Sequence, residues 1–201
     1  MTAELLAAPL LSLLLGYLLG SIPFGVLLTR VAGAGDLRGI GSGNIGATNV
    51  LRTGRKGLAA LTLLLDALKG AAAVILVHAV YPGNEGLAAV GALLGHLYPI
   101  WIRFRGGKGV ATFAGIMAAL HWPSAIIYAL VWVGALALTR FSSIAGMAAA
   151  LSAPVAAAML GRFDLALLYL GFALLIVWKH RGNLERLFAG TEPRVGSASE
   201  G

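Results

Sequence analysis

The sequence predicts an all-α polytopic membrane protein of seven transmembrane helices, with the N-terminus outside and the C-terminus cytoplasmic. Three observations predict it. Hydrophobic residues make up 59% of the 201 and charged residues only 11%, whereas a soluble domain carries about 25% charged residues. Mean hydropathy is +0.87, so the chain is solvated by lipid, where only helices or closed barrels satisfy the backbone. The apolar runs are long and lack the period-2 alternation of barrel strands, which selects helices. At this length the spans are expected to form one domain over residues 1–201, with a loose tail from about residue 195.

Residues 3–30 read as the first span. Its start, MTAELLAAPL, has Glu4 and no basic residue, so it lacks the basic n-region of a cleaved signal peptide. Ser21 and Pro23, in SIPFG near its far end, read as a structural kink eased by a hydroxyl, or as a bend that shapes a site wall. Residues 31–56 are polar, and 57–80 form the second span. Asp66 and Lys69 lie three apart on one face of it. Ionisable groups inside a span face the bundle interior. The pair is read as structural, through an ion pair or contacts to the preceding loop, with a direct part in chemistry as the alternative. After the YPGNE turn at 81–85 comes a third span, 86–102. Residues 110–121 are too short to cross ~30 Å of hydrocarbon at ~1.5 Å per residue and are expected to sit partly inside the bundle. HWP at 121–123 and GRFD at 161–164 read as turns, and 124–139, 143–160 and 165–178 as the remaining spans.

Charge orients the bundle. With seven spans, one side receives thirteen of the 15 lysines and arginines, including Arg52, Lys108 and Lys179. The other side receives only Arg162, and Lys69 lies within a span. The positive-inside rule makes the rich side cytoplasmic. All three polar clusters, 31–56, 103–109 and 179–196, then lie on that side, which suggests a single site.

The first cluster contains GSGNIGATNVLR at 41–52. Gly41, Gly43 and Gly46 free the backbone for positive φ and for close approach of a ligand. Successive amides in such a turn form an anion-binding concavity. Ser42, Asn44, Thr48 and Asn49 add hydroxyl and amide groups, and Arg52 adds a fork of donors suited to phosphate. The GxGxxG match is weak, because the nucleotide-binding version needs a βαβ unit, and no P-loop sequence is present. Close helix packing is the other use of such glycines. Gly106, Gly107 and Lys108 form a second phosphate candidate just ahead of a helical run, where helix dipole, amides and ammonium act together. Arg103 and Arg105 are read as headgroup anchors. In the third cluster His180 and Asn183 share a face. His180 is a base, a donor to phosphate or an interfacial residue; Asn183 is a site residue or the N-cap of a short amphipathic helix.

His78, His96 and His121 read as interfacial, and no metal-ligand pattern such as HExxH occurs. No metal, cofactor or nucleic-acid partner is expected. The absence of cysteine excludes disulfides, Fe–S clusters and thiol nucleophiles. The His-x4-Asp pair of soluble-type glycerolipid acyltransferases is also absent. A cationic pocket at the lipid boundary suits a molecule with a phosphate head and an acyl chain. A transporter of phosphorylated solutes is the alternative, but it would show two related halves and a midplane site. A non-enzymatic anchor would not need this set of polar residues.

SIPFG at 21–25, GSGNIGATNVLRTG at 41–54, D-x-x-KG at 66–70, RFRGGKGVAT at 103–112 and KHRGN-x-x-RL-x-x-G-x-E at 179–192 occur in order. Together they resemble the bacterial acyl-phosphate:glycerol-3-phosphate acyltransferase family over nearly the whole chain. The resemblance implies a seven-span enzyme of the bacterial inner membrane, its active site facing the cytoplasm. It implies acyl phosphate and glycerol 3-phosphate as substrates, membrane lipid as surroundings, and lysophosphatidic acid and phosphate as products, with a substrate-assisted mechanism. It carries catalytic roles to Ser42, Arg52, Lys108, His180 and Asn183, and a mainly structural role to Glu192. The sequence departs from the family at Ile45, where many members have proline.

Overall fold

The computed structural model of the chain describes residues 2–39 and 43–196; Gly41, Ser42 and most of the expected loose tail lie outside the described residues. The helices are α1 Thr2–Gly20, α2 Phe24–Val31, α3 Ala47–Leu51, α4 Lys56–Val80, α5 Glu85–Leu97, α6 Val110–Thr139, α7 Ser142–Met159, α8 Phe163–Lys179 and α9 Arg181–Phe188. Short 3-10 turns occupy Leu37–Gly39 and Ile100–Ile102. The chain divides into two compact units, the first ending at His121 and the second beginning at Trp122.

In the first unit, α1 packs along α5 through small residues on both helices. A Cβ on Gly16 or Gly20 would collide with the Ala88 or Ala92 carbonyl, and one on Gly91 or Gly95 with the Leu13 or Tyr17 carbonyl. Backbones in lipid approach this closely only where side chains are small. Gly70 of α4 and Gly115 of α6 repeat the pattern, against the Thr112 and Ala67 carbonyls. On α4 the buried positions include Thr62, Asp66, Lys69, Ala73 and Val77, one stripe at helical spacing.

The second unit pairs α7 with α8. Its α7 face is built from Ala145, Ala149, Ala150, Ala153, Ala156 and Ala157, and its α8 face includes Tyr169, Phe172 and Ile176, all buried. The large apolar side chains face outward instead, among them Leu10, Leu64 and Ile75 in the first unit and Leu138, Leu167 and Leu174 in the second. Lipid tails are as apolar as leucine, so nothing drives these side chains inward.

Among the described residues five helical runs are long and apolar enough to cross a membrane, and the count is six when α8 and α9, bent by 54° at their junction, are taken as one span. The first of them, Ala7–Val31, includes the break at residues 21–23 between α1 and α2. The expected spans 110–121 and 124–139 are two helical segments, separated by non-helical backbone at His121 (φ −160°, ψ 86°). The HWP segment is the kink at which these two segments meet, its break at His121 lying two residues ahead of Pro123.

Replacing Gly20 with Leu drives a branched side chain into the Ala92 carbonyl. The substitution is expected to cost about 1–3 kcal/mol of stability, read as a lower thermal-unfolding midpoint of the purified protein. Leu10→Ala, on an exposed position, is the control expected to leave that midpoint nearly unchanged.

Candidate active site

The glycine-loop segment is fixed from below. Leu37, Val50 and Ala59 make a small apolar cluster flanked by Leu51 and Leu58. Leu37 and Val50 are fully buried, as is nearly all of Ile45. The Ile45 carbonyl rests where a side chain on Gly25 would stand, so α2 seats the loop directly. Gly43 takes φ +67°, the left-handed conformation that favours glycine. Gly46 does not: it lies at φ −80° as the N-cap of α3 and, having no side chain, makes no side-chain cap. Its amide instead donates to Asn44 Oδ1 over 3.3 Å, closing a local turn.

Asn49 is buried and holds the loop together. Its Nδ2 donates to the Leu37 carbonyl at 2.9 Å, and its Oδ1 accepts from Arg52 Nη1 at 3.4 Å. The guanidinium of Arg52 is thus exposed but oriented. Thr48 lies half-buried on α3. Ahead of the loop, Arg38 forms a forked ion pair with Asp36 at 2.6 Å, which lowers the Asp36 carboxyl to about 2.

The second cluster follows a backbone that turns twice through the left-handed region without glycine, at Arg103 (φ 56°) and Phe104 (φ 60°). The Phe104 amide donates to the Pro99 carbonyl at 2.9 Å and the Gly107 amide to the His96 carbonyl at 3.0 Å. Neither Gly106 nor Gly107 has room for a Cβ: the first would strike the His96 carbonyl, the second the His96 imidazole. Lys108 is half-buried, and Gly109 at φ 88° turns the chain into α6. Nearby, Trp101 Nε1 donates to Ser21 Oγ at 2.7 Å, and that hydroxyl donates to the Leu18 carbonyl at 2.8 Å. Ser21 is a structural link at the break between α1 and α2.

Asp66 and Lys69 form a buried ion pair at 2.6 Å. Lys69 also donates to the Ile22 carbonyl at 2.7 Å and stands 5.7 Å from the centre of the Phe24 ring. His96 Nδ1 lies 3.7 Å from the same Asp66 oxygen, and His96 is only 4% exposed. The expectation that His96 is interfacial is therefore corrected. A buried ion pair in one span asks for polar company on its neighbour, and His96 is the one polar side chain of α5 besides the first-turn Glu85. That signal was present in the sequence.

In the second unit, His180 lies between α8 and α9 and is buried. Its Nδ1 is 2.8 Å from the Ile176 carbonyl, which can only accept. Nδ1 therefore carries the hydrogen, and in the neutral ring Nε2 carries the lone pair. Asn183 is not the N-cap of α9, because the helix begins at Arg181 and has His180 at the cap position. Its Nδ2 donates to Glu192 Oε1 at 2.6 Å. Ser143 Oγ donates to the same oxygen at 2.7 Å, and Arg186 Nε to Oε2 at 2.8 Å. Burial works against the Glu192 charge, but these three donors hold the carboxyl below its ordinary range. Ser143 carries no sequence signal for this role. Arg103 and Arg105 are exposed. Among the described residues no group of histidine and acidic side chains is arranged to hold a metal ion.

These features define a polytopic helical membrane protein whose polar residues sit in braced loops bearing an arginine and a lysine suited to phosphate. The family profile described as glycerol-3-phosphate acyltransferase matches residues 10–190. A glycerol-3-phosphate acyltransferase of Rhodopseudomonas palustris (strain HaA2) is 56% identical over 187 residues, covering 92% of this chain and 94% of its own. One from Mesorhizobium japonicum is 54% identical, covering 94% and 96%. The fold is also similar to the crystal structure of PlsY (YgiH), an integral membrane glycerol 3-phosphate acyltransferase, in its glycerol 3-phosphate form. That similarity has TM-score 0.89 and 35% identity, covering 94% of this chain and 96% of the other. The lysophosphatidic acid form gives TM-score 0.87 and 34% identity, with the same coverage. The chain belongs to the glycerol-3-phosphate acyltransferase family.

The depressed Glu192 carboxyl has a consequence for stability. A carboxyl held below its ordinary value of 4.5 in the folded state adds stability that is present above that value and is lost as pH falls through the folded value. The wild-type unfolding midpoint is therefore expected to fall more steeply below pH 4.5 than that of Glu192→Gln, which starts lower at neutral pH. Parallel midpoints across that range would show that the carboxylate charge contributes nothing.

Proposed function

We propose that the protein transfers a fatty acyl group from acyl phosphate to the sn-1 hydroxyl of glycerol 3-phosphate. The products are lysophosphatidic acid and inorganic phosphate, the first acylation in phospholipid synthesis. The observation that carries this reading is that Arg52 and Lys108 each stand on a loop whose backbone is fixed by buried neighbours, Asn49 for one and His96 for the other. Preorganised cations of this kind suit a reaction in which negative charge develops on a leaving phosphate.

Acyl phosphate is a mixed anhydride and is already activated, so the chemistry calls for no cofactor. The glycerol 3-phosphate hydroxyl oxygen attacks the acyl carbon, the new ester C–O bond forms and the bond to the phosphate oxygen breaks. The hydroxyl proton passes to a phosphate oxygen of the substrate. Lys108, Arg52 and the amides and hydroxyls of Gly41, Ser42, Gly43, Asn44 and Thr48 stabilise phosphate, with Gly106 contributing a backbone amide; Gly46 and Gly107, whose amides are engaged by Asn44 and by the His96 carbonyl, shape the two turns. Asn49 acts through Arg52. His180 and Asn183 bind and orient glycerol 3-phosphate, and Glu192 holds Asn183. His180 is a binding residue in this reading: its buried ring is held in one orientation through Nδ1 and the Ile176 carbonyl.

The same reading takes α6 as two spans, one on each side of the His121 break, which brings the count to seven. The distribution of lysine and arginine then supports an outside N-terminus and a cytoplasmic C-terminus and site, in the bacterial inner membrane. Residues 1–201 work as a single catalytic domain.

Purified protein given palmitoyl phosphate is expected to release phosphate and form lysophosphatidic acid only when glycerol 3-phosphate is added, and Arg52→Ala is expected to abolish this. Silence with acyl phosphate, followed by glycerol 3-phosphate uptake in proteoliposomes, would instead establish a transporter. In the same assay His180→Gln is expected to keep most of kcat while raising KM for glycerol 3-phosphate about tenfold; a kcat loss of about 10²–10⁴ would make His180 the base.

Orientation is open to cysteine labelling, because the sequence contains no cysteine. In spheroplasts, a membrane-impermeant maleimide is expected to label Pro82→Cys at once and Gly57→Cys only after permeabilisation. The opposite pattern would reverse the topology.

A further inference from the structure

His96 lies outside the polar clusters that carry the proposed chemistry, yet the Gly106–Gly107–Lys108 turn is shaped around it. The Gly107 amide donates to the His96 carbonyl at 3.0 Å, and the His96 ring occupies the space that a side chain on Gly107 would need. Gly106 is pressed against the same residue's carbonyl. Neither glycine has positive φ, so both are required here for room and not for backbone freedom. The ring is not free to swing away. It is buried, and its Nδ1 lies 3.7 Å from the Asp66 carboxylate, which Lys69 holds at 2.6 Å.

We propose that His96, held by the Asp66–Lys69 pair, is a positioning residue that sets the Gly106–Lys108 turn and so places the Lys108 ammonium against substrate phosphate. The role rests on the acyltransferase reading above. His96 touches no reacting atom in this account; it acts through the turn. The same ion pair reaches the other phosphate loop as well. Lys69 binds the Ile22 carbonyl, and three residues on, Gly25 seats the Ile45 carbonyl of the glycine loop. One buried charge pair therefore references both loops of this unit to α4.

The test is a reciprocal pair of substitutions assayed for kcat/KM of glycerol 3-phosphate-dependent phosphate release, beside thermal unfolding of each protein. Gly107→Ala adds a methyl group against the ring and is expected to lower kcat/KM about tenfold or more. His96→Asn shortens the side chain, keeps a polar group towards Asp66, and is expected to lower kcat/KM similarly while the protein remains folded at assay temperature. The double variant is expected to be clearly more active than Gly107→Ala alone, because the shorter side chain makes room for the methyl group. Multiplicative losses in the double variant, or wild-type kcat/KM in His96→Asn, would overturn the positioning role. Turnover by the wild type reads the acyltransferase function itself, so an active wild type with multiplicative variants removes only this inference. If Gly107→Ala does not accumulate, His96→Asn is tested alone with inorganic phosphate as inhibitor. A weakened inhibition constant with an unchanged unfolding midpoint supports the role, and an unchanged constant overturns it.

Discussion

The first unit depends on one buried ion pair, Asp66 with Lys69. Placing two charges away from water costs several kcal/mol for each ion, and their attraction offsets this only when the remaining hydrogen-bonding capacity is also met. The surroundings of the pair read as a response to that demand. Lys69 takes the Ile22 carbonyl, a group freed where α1 stops and α2 has not begun, and it faces the Phe24 ring. Asp66 has His96 beside it. Removing one partner of such a pair costs roughly 3–5 kcal/mol, because the other charge is left buried and uncompensated. The break between α1 and α2 and the depth of His96 in α5 are therefore fixed together.

Small residues make that arrangement reachable. The backbones of α1 and α5 touch through Gly16, Gly20, Gly91 and Gly95, and α4 and α6 through Gly70 and Gly115. In lipid the hydrophobic effect does not press helices together, so contact must come from close packing and from polar groups between them. A bulkier residue at Gly95 would push α5 away from α1, and one at Gly70 would push α6 away from α4. Packing and polar satisfaction are thus two statements of one constraint. The loops inherit part of their precision from it, since both are also anchored to these helices.

Much of this was legible in the chain. The polar loops, the shared face of Asp66 and Lys69 and the helical class follow from composition and spacing, because each depends on residues near one another in sequence. His96 was misread because its role depends on a partner thirty residues away on another helix. Asn183 invited a capping role from its place before Leu184 and Glu185, but α9 begins two residues earlier, and Glu192 takes its amide. The run from Val110 to Thr139 divides at HWP, as its proline and polar histidine suggest. Non-helical backbone at His121 separates two helical segments there, with Pro123 near the start of the second, where proline is tolerated. Gly106 and Gly107 were attributed to phosphate alone, although the room they leave is filled by His96.

Ile45 shows how the same rigidity is reached by different means. A proline at this position would narrow the loop's conformations before folding through its fixed φ. Isoleucine gives no such restriction. Here its side chain is almost fully buried and its carbonyl lies against the bare backbone of Gly25. Burying a side chain of this size contributes about 1.5–3 kcal/mol, comparable to or larger than the roughly 0.4–1 kcal/mol that a well-placed proline supplies through the unfolded state. The loop is therefore held by tertiary packing, and its order depends on α2 being in place. That dependence runs back through Gly25 and Ile22 to Lys69, so packing at Ile45 ties the glycine loop to the buried charge pair.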